Sequence, residues 1–244
     1  MEQEERGRCA SCGNHESTRD FWGIGSFIRA TEVSQEQPVI GWRSWVPHRQ
    51  GEEFSLGSWS AEGRILWPTD SPARAGCQPV SDVANDPSAN PFPTHGCGIE
   101  ARDNRQDMVP DSWVKLLLSQ PAFPIRKGVW GAVDLMGQVA VHEHGFRAQF
   151  AKPASLAIVC SFCSMPQGEA EWLIHPEPET AEIFVAACDE HRDWFLGLGG
   201  DLCAMIPAAP ARESLLARYG VAAEPMSHES NGVSSRSRNG AFDE

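Results

Sequence analysis

The chain contains no run of about 18 continuous apolar residues, the length a membrane-spanning helix needs, so no span is expected. It is short of positive charge: 20 Lys and Arg stand against 33 Asp and Glu, for a net charge of −13. A nucleic-acid binder usually presents a basic face, and this balance argues against a polyanionic partner. Familiar catalytic signatures are missing as well. There is no G-x-x-x-x-G-K-[ST] phosphate loop, no H-E-x-x-H helix and no G-x-S-x-G elbow. Tyrosine occurs once against nine Trp, an imbalance that by itself points to no fold. The opening Met1-Glu2-Gln3-Glu4-Glu5-Arg6 is acidic and polar, unlike a signal peptide, and a cytoplasmic protein is expected. In that reducing compartment eight cysteines read as metal ligands or free thiols before disulfides.

What the chain does have is a pair of pairs. Cys160-Ser161-Phe162-Cys163 is followed, 25 residues after its second cysteine, by Cys188-Asp189-Glu190-His191. A two-residue gap in a turn aims both side chains at one ion, and two such pairs supply the four ligands of a tetrahedral zinc site. The first pair follows the apolar run Leu156-Ala157-Ile158-Val159 and the second follows Ile183-Phe184-Val185-Ala186-Ala187, so each leaves the end of a short buried segment. The second then enters Arg192-Asp193-Trp194-Phe195-Leu196, an amphipathic stretch able to start a helix over the metal. The bland alternative is buried cysteines and a surface histidine, since free Cys is often core filler. The expectation is Zn2+ held by Cys160, Cys163, Cys188 and His191 in a treble-clef-like or ribbon-like finger. Filled by four protein ligands, such a site is structural and activates no water.

The segment from Cys160 through Ile174, with its Cys-Ser-Phe-Cys-Ser-Met-Pro opening, together with Cys188-Asp189-Glu190-His191, resembles the zinc-binding domain at the start of the ClpX unfoldase. The likeness covers residues 160–191. It implies that Cys160, Cys163 and Cys188 are zinc ligands, with His191 standing where that family has a fourth Cys. It also implies a module that dimerises or holds a protein partner. The gap between the pairs is longer than in that family, and without a phosphate loop the chain is not the ATPase itself. Apolar residues of the finger, among them Trp172, Leu173 and Ile174, would then face a partner or the neighbouring sheet.

With 41% apolar residues over 244 positions, the chain can bury a real core in one large or two small domains. Residues 1–37 read as a polar tail carrying Cys9-Ala10-Ser11-Cys12, half of a zinc site. Short aromatic bursts begin at Val39-Ile40-Gly41-Trp42 and continue through Phe54-Ser55-Leu56, Ser58-Trp59 and Arg64-Ile65-Leu66-Trp67, suggesting strands. Residues 68–110 hold seven prolines and little periodicity. Long structureless loops are uncommon unless pinned, and Cys77, His95 and Cys97 are the available pins. Cys9, Cys12, Cys77 and Cys97 could share a second metal, or be unrelated. Asp111–Leu118 reads as a short capped helix.

Alternation of Val133, Leu135, Val139 and Val141, a turn near His144-Gly145, and a return through Phe146, Ala148 and Phe150 predict a hairpin delivering the chain into Cys160. His142-Glu143-His144 sits at its tip, where joint chelation by the two histidines requires both to lie in the turn, and an exposed polar hairpin end is the bland reading. Gly41-Trp42-Arg43-Ser44-Trp45, Cys77, His95 with Cys97-Gly98-Ile99-Glu100-Ala101, and Gly137-Gln138-Val139 with His142 to Ala148 are similar to a domain recurring in actinobacterial proteins of unknown function, over residues 39–155. That resemblance implies no activity. Ala211–Gly220 is a last amphipathic helix and residues 225–244 a disordered tail.

The expected architecture is α+β: a mainly antiparallel β-rich domain over 38–155 with few helices, a zinc finger over 156–204, and a short helix within 205–224. The function read from it is a zinc-binding protein whose finger serves protein interaction or dimerisation. The alternative is a metal-dependent hydrolase using His142, Glu143 and His144 or the Cys77, His95, Cys97 group. Nucleic-acid binding through the finger ranks last, because Glu177, Glu179, Glu182, Asp189, Glu190 and Asp193 flank it.

Overall fold

A computed structural model describes residues 27–60, 63–75, 98–105, 127–163, 169–175, 184–197 and 204–225. The helix expected at Asp111–Leu118 lies outside these residues. In chain order the strands are β1 (Phe27–Val33), β2 (Val39–Gln50), β3 (Glu53–Ser60), β4 (Gly63–Leu66), β5 (Ala73–Arg74), β6 (Ile99–Arg102), β7 (Val129–His142), β8 (Gly145–Pro153), β9 (Ser155–Ile158), β10 (Trp172–His175), β11 (Val185–Ala187), β12 (Ala204–Pro207) and β13 (Ala222–Ala223). Two helices accompany them among the described residues, α1 (Asp189–Gly197) and α2 (Ala208–Tyr219). The protein is β-rich and mostly antiparallel, the one parallel pairing among the described residues being β13 with β9.

The larger sheet is organised on β7, whose 14 residues give it room for partners end to end on both edges. On one edge it pairs with β8 and then with β9; on the other it pairs with β2 from Val129 to Leu135 and with β1 from Gly137 to His142. β6 joins β8 to β2, through Ile99↔Ala148 to Arg102↔Gly145 on one side and Trp42↔Arg102 on the other. The path β7, β8, β6, β2 and back to β7 closes into a barrel-like ring. Closure removes sheet edges at the centre, and β1 extends β2 along the same edge of β7. Residues 27–33 therefore belong to the sheet and not to a polar tail. Exposed at five of its seven positions and fully buried at none, this strand has no buried stripe of its own; β7 specifies it by offering an edge.

Alternation sets the core. Val133, Leu135 and Val139 of β7, Ala148 and Ala151 of β8, and Ile99 and Ala101 of β6 face inward with Trp45, Leu56 and Trp67. Trp45 and Trp67 meet edge to face at 5.2 Å, a geometry that aligns a ring edge with a π face. Helix α2 lids this core with Ala208, Ala211, Leu215 and Tyr219, a three-and-four spacing that keeps one stripe buried. It ends at Gly220, whose N–H bonds back to the last turn.

The single tyrosine ties the lid down. The Tyr219 hydroxyl accepts the Leu56 N–H at 3.0 Å and donates to the Trp67 carbonyl at 3.1 Å, both within the buried core. Tyr219→Phe removes both partners and leaves a buried donor and acceptor unpaired. The expected loss is about 2–4 kcal/mol, read as a lower urea midpoint; an unchanged midpoint would show that the pairing adds nothing.

Opposite the core on β6, Glu100 pairs with Arg147 across the β6–β8 ladder at 3.2 Å. The Arg43 guanidinium donates to the Glu100 carbonyl and lies over the Trp67 ring. Burial pushes the Glu100 carboxyl up to about 7 from 4.5, outweighing the lowering by Arg147 and Arg43. The folded state then holds a proton that the unfolded chain gives up near 4.5, so this carboxyl's contribution to stability is most favourable below about 4.5 and falls as pH rises to about 7. The difference between wild type and Glu100→Gln should change by about 3 kcal/mol over that window and stay flat above it. Parallel pH profiles of the two proteins would refute it.

Candidate metal centre

The small sheet β11-β10-β12 stands between two hydrophobic clusters. In β10 and β11 side chains alternate, so Leu173 and Ala186 join the barrel core while Ile174, Val185 and Ala187 form a second cluster with Cys160 and Phe162. Leu173 and Ile174 are both fully buried. They face the chain's own two clusters, one on each side of the strand, rather than a partner. Trp172 is half-buried, with its Nε1–H donating to Asp189 at 2.7 Å and Arg192 lying over its ring at 4.7 Å.

The first cysteine pair is delivered by β9. The Val159 N–H bonds to the Gly128 carbonyl at 2.9 Å, which holds the strand end against the start of β7. Ser161 then latches the turn to β11: its N–H donates to the Ala186 carbonyl at 2.8 Å and its hydroxyl accepts the Ala186 N–H at 3.2 Å. The approach is close enough to require glycine at 128, where a Cβ would stand 2.6 Å from that of Ala186 and 3.1 Å from Ser161 Oγ. Ser161 was not singled out from the sequence; its position between two candidate ligands, next to Cys160, was the available signal.

The second pair comes from the junction of β11 and α1. Cys188 lies between them and His191 is in the first turn of the helix, where Asp189 and Glu190 complement the N-terminal dipole. Arg192 locks that turn through Asp189 at 2.8 Å and Asp193 at 2.7 Å. The Phe162 ring stacks on His191 at 5.7 Å and meets Trp194 edge to face at the same distance, fixing the imidazole plane.

These elements gather Cys160, Cys163, Cys188 and His191 so that one donor atom from each lies within 4.8 Å of all the others. Cys163 Sγ is 3.9 Å from Cys188 Sγ and 3.7 Å from His191 Nδ1, and Cys188 Sγ is 3.1 Å from that nitrogen. A tetrahedral ion with bonds of about 2.3 Å to sulfur and about 2.0 Å to nitrogen separates its ligands by roughly 3.5–3.8 Å. The two Cys163 separations lie close to those edges and the Cys188–His191 one is shorter, so the donors are near enough to share one ion, and the Cys163–Cys188 gap is far too open for a disulfide of about 2.05 Å. All three cysteines are free. The four residues are positioned to hold a metal ion.

Burial first, and then its neighbours Cys160 and Cys188, push the Cys163 thiol up to about 12. Burial raises Cys188 as well. Without a metal, Cys163 and Cys188 therefore hold their protons at neutral pH. A cation reverses that balance by binding the thiolates, and its uptake releases protons.

Among the described residues this is the one group of three or more His, Cys, Asp or Glu donors. His142, Glu143 and His144 do not gather: His142 is buried against the Phe27 ring at 5.8 Å, while Glu143 and His144 are exposed in the β7–β8 turn. Cys9, Cys12, Cys77, His95 and Cys97 lie outside the described residues. No described helix is long and apolar enough to cross a membrane. No protein-family model, curated protein or solved structure matches the chain.

Proposed function

We propose that the chain is a zinc-binding protein in which Cys160, Cys163, Cys188 and His191 hold one Zn2+ in a structural finger. The observation that carries this is the donor geometry, four soft or borderline atoms within 4.8 Å of one another. Three thiols and an imidazole suit zinc better than the hard, oxygen-preferring cations. The set is complete without water, so the ion would organise the chain and not activate a nucleophile. Helix α1 supports that reading. None of its residues is fully buried, and its partly buried Phe195 packs on the same cluster that Cys160 and Phe162 form, so its attachment centres on the donor site.

The order of parts, a cysteine turn, two paired strands, then a helix whose first turn carries the last ligand, supports a treble-clef-like reading and with it the ClpX-like reading of residues 160–191. On that reading the finger is an interaction or dimerisation module without ATPase activity. The surface for it is the side carrying Trp194, which is 37% exposed beside Phe162, in place of the buried Leu173 and Ile174.

Elemental analysis of protein purified without a His tag tests the metal. One zinc per chain, lost in Cys163→Ser, is the expected result. A second zinc that survives the substitution would place Cys9, Cys12, Cys77 and Cys97 in another site. Freshly reduced protein without zinc would remove the proposal. Self-association that persists unchanged in Trp194→Ser, with zinc retained, would remove the interaction surface.

A further inference from the structure

The four donors are not equally reachable. Cys160 is 2% exposed and packs with Phe162, Ile174, Val185 and Ala187, whereas Cys163 and Cys188 are half-buried at the outer side of the cluster. These two outer sulfurs face each other at 3.9 Å from elements 25 residues apart, one on the cysteine turn and one at the end of β11. Cys188 is the single residue between β11 and α1, and α1 is held to the cluster only by partly buried side chains such as Phe195, so the Cys188 side has less packing to overcome than Cys160 in closing the gap between 3.9 Å and a disulfide of about 2.05 Å.

We propose that Cys163 and Cys188 are a peroxide-sensitive dithiol whose oxidation to a disulfide discharges the metal and releases α1. This rests on the zinc reading for its output, though not for the disulfide itself. The oxidant is hydrogen peroxide. One sulfur attacks a peroxide oxygen, forming an S–O bond as the O–O bond breaks, and water leaves with the thiol proton. The second sulfur attacks the resulting sulfenic acid, forming the S–S bond as the S–O bond breaks, and a second water leaves. Two thiols lose two electrons and one peroxide becomes two waters; in the metal-loaded protein, where both sulfurs are already thiolates, solvent supplies the two protons. Cys160 and His191 then remain as two donors of four, too few to retain the ion. Buried Cys160 is spared, so the step stops at one bond and a dithiol reductant reverses it.

The test uses the full chain, purified reduced with its native metal and treated with graded hydrogen peroxide. Remaining thiols are blocked in denaturant, peptides are mapped by mass spectrometry, and released zinc is read with a chromogenic chelator. A Cys163–Cys188 cross-linked peptide is expected, with half of the zinc released where half of the cross-link has formed, and both restored by dithiothreitol and added zinc. A bond from either sulfur to Cys160 or to a cysteine outside the cluster, a sulfinic acid at either position, or both thiols intact while other cysteines oxidise would each overturn the proposal. Protein found metal-free at the start would overturn the zinc reading alone, because the peptide map of that same sample still decides the disulfide.

Discussion

Cys163→Ser is expected to lose the ion and to open residues 160–197 to protease while the β7–β8 hairpin stays protected. Serine is a poor zinc ligand at neutral pH, and three remaining donors hold the ion far more weakly. Metal binding in small fingers is folding free energy, so the variant should be destabilised on the order of 5 kcal/mol in that region. The loss is local for a reason visible in β10. One face of this strand, with Ile174, packs on the metal cluster, and the other, with Leu173, packs on the barrel core. Removing the ion strips the first face and leaves the second. Helix α1, with no buried residue, should lose protection first. Limited proteolysis with mass mapping checks this; simultaneous cleavage within β7 and within residues 160–197 would show that finger and barrel unfold as one unit.

Gly131→Ala is expected to be as damaging although it lies in the barrel. A Cβ at this position would stand 1.8 Å from the Ser155 carbonyl oxygen and 3.1 Å from the Leu156 side chain. The first of these is a backbone atom, which no rotamer change can move aside. Ser155 begins β9, and around it the Ser155 hydroxyl accepts the Ala132 N–H at 3.2 Å and the Ala154 N–H bonds to the Ala132 carbonyl at 2.9 Å. The added methyl must push β9 off β7, and β9 runs directly into Cys160. A cost of about 3–5 kcal/mol is expected, at the upper end for overpacking because backbone must yield. Zinc content should fall with it. Full zinc occupancy at wild-type stability would mean that the junction between barrel and finger is looser than its contacts indicate.

Both results bear on how the site was legible. The four donors could be read from the sequence because chelation by a turn is local: two residues between ligands is a property of a few consecutive bonds, independent of what lies elsewhere. The same holds for the hairpin. Val133, Leu135 and Val139 alternate within one strand and the turn at 143–144 follows at once, so β7 and β8 need only each other. Helix α2 likewise carries its own stripe, Ala208, Ala211, Leu215 and Tyr219, and its own Gly220 stop. His142 and His144 part only because the strand ends between them: a period of two alone sets both on one face, but His142 is the last residue of β7, buried beside Phe27, and His144 is exposed in the turn.

The sequence by itself determined the donor set, the β-rich class and the elements whose partners are adjacent in the chain. Tertiary structure decided everything that depends on a distant edge. β1 is a strand because β7 is long enough to offer Gly137–His142 to it, and nothing in Phe27–Val33 alone requires that. The ring closes because β2 reaches both β7 and β6, a choice of register made between segments far apart, which no local pattern encodes. Trp172-Leu173-Ile174 reads as one apolar patch in sequence, but a strand sends neighbours to opposite faces, and only the position of the barrel on one side and the cysteine cluster on the other assigned each residue its place. The lone tyrosine is the plainest case. Its composition signal is a count of one, and its role appears only where the fold brings Leu56 and Trp67 to its hydroxyl.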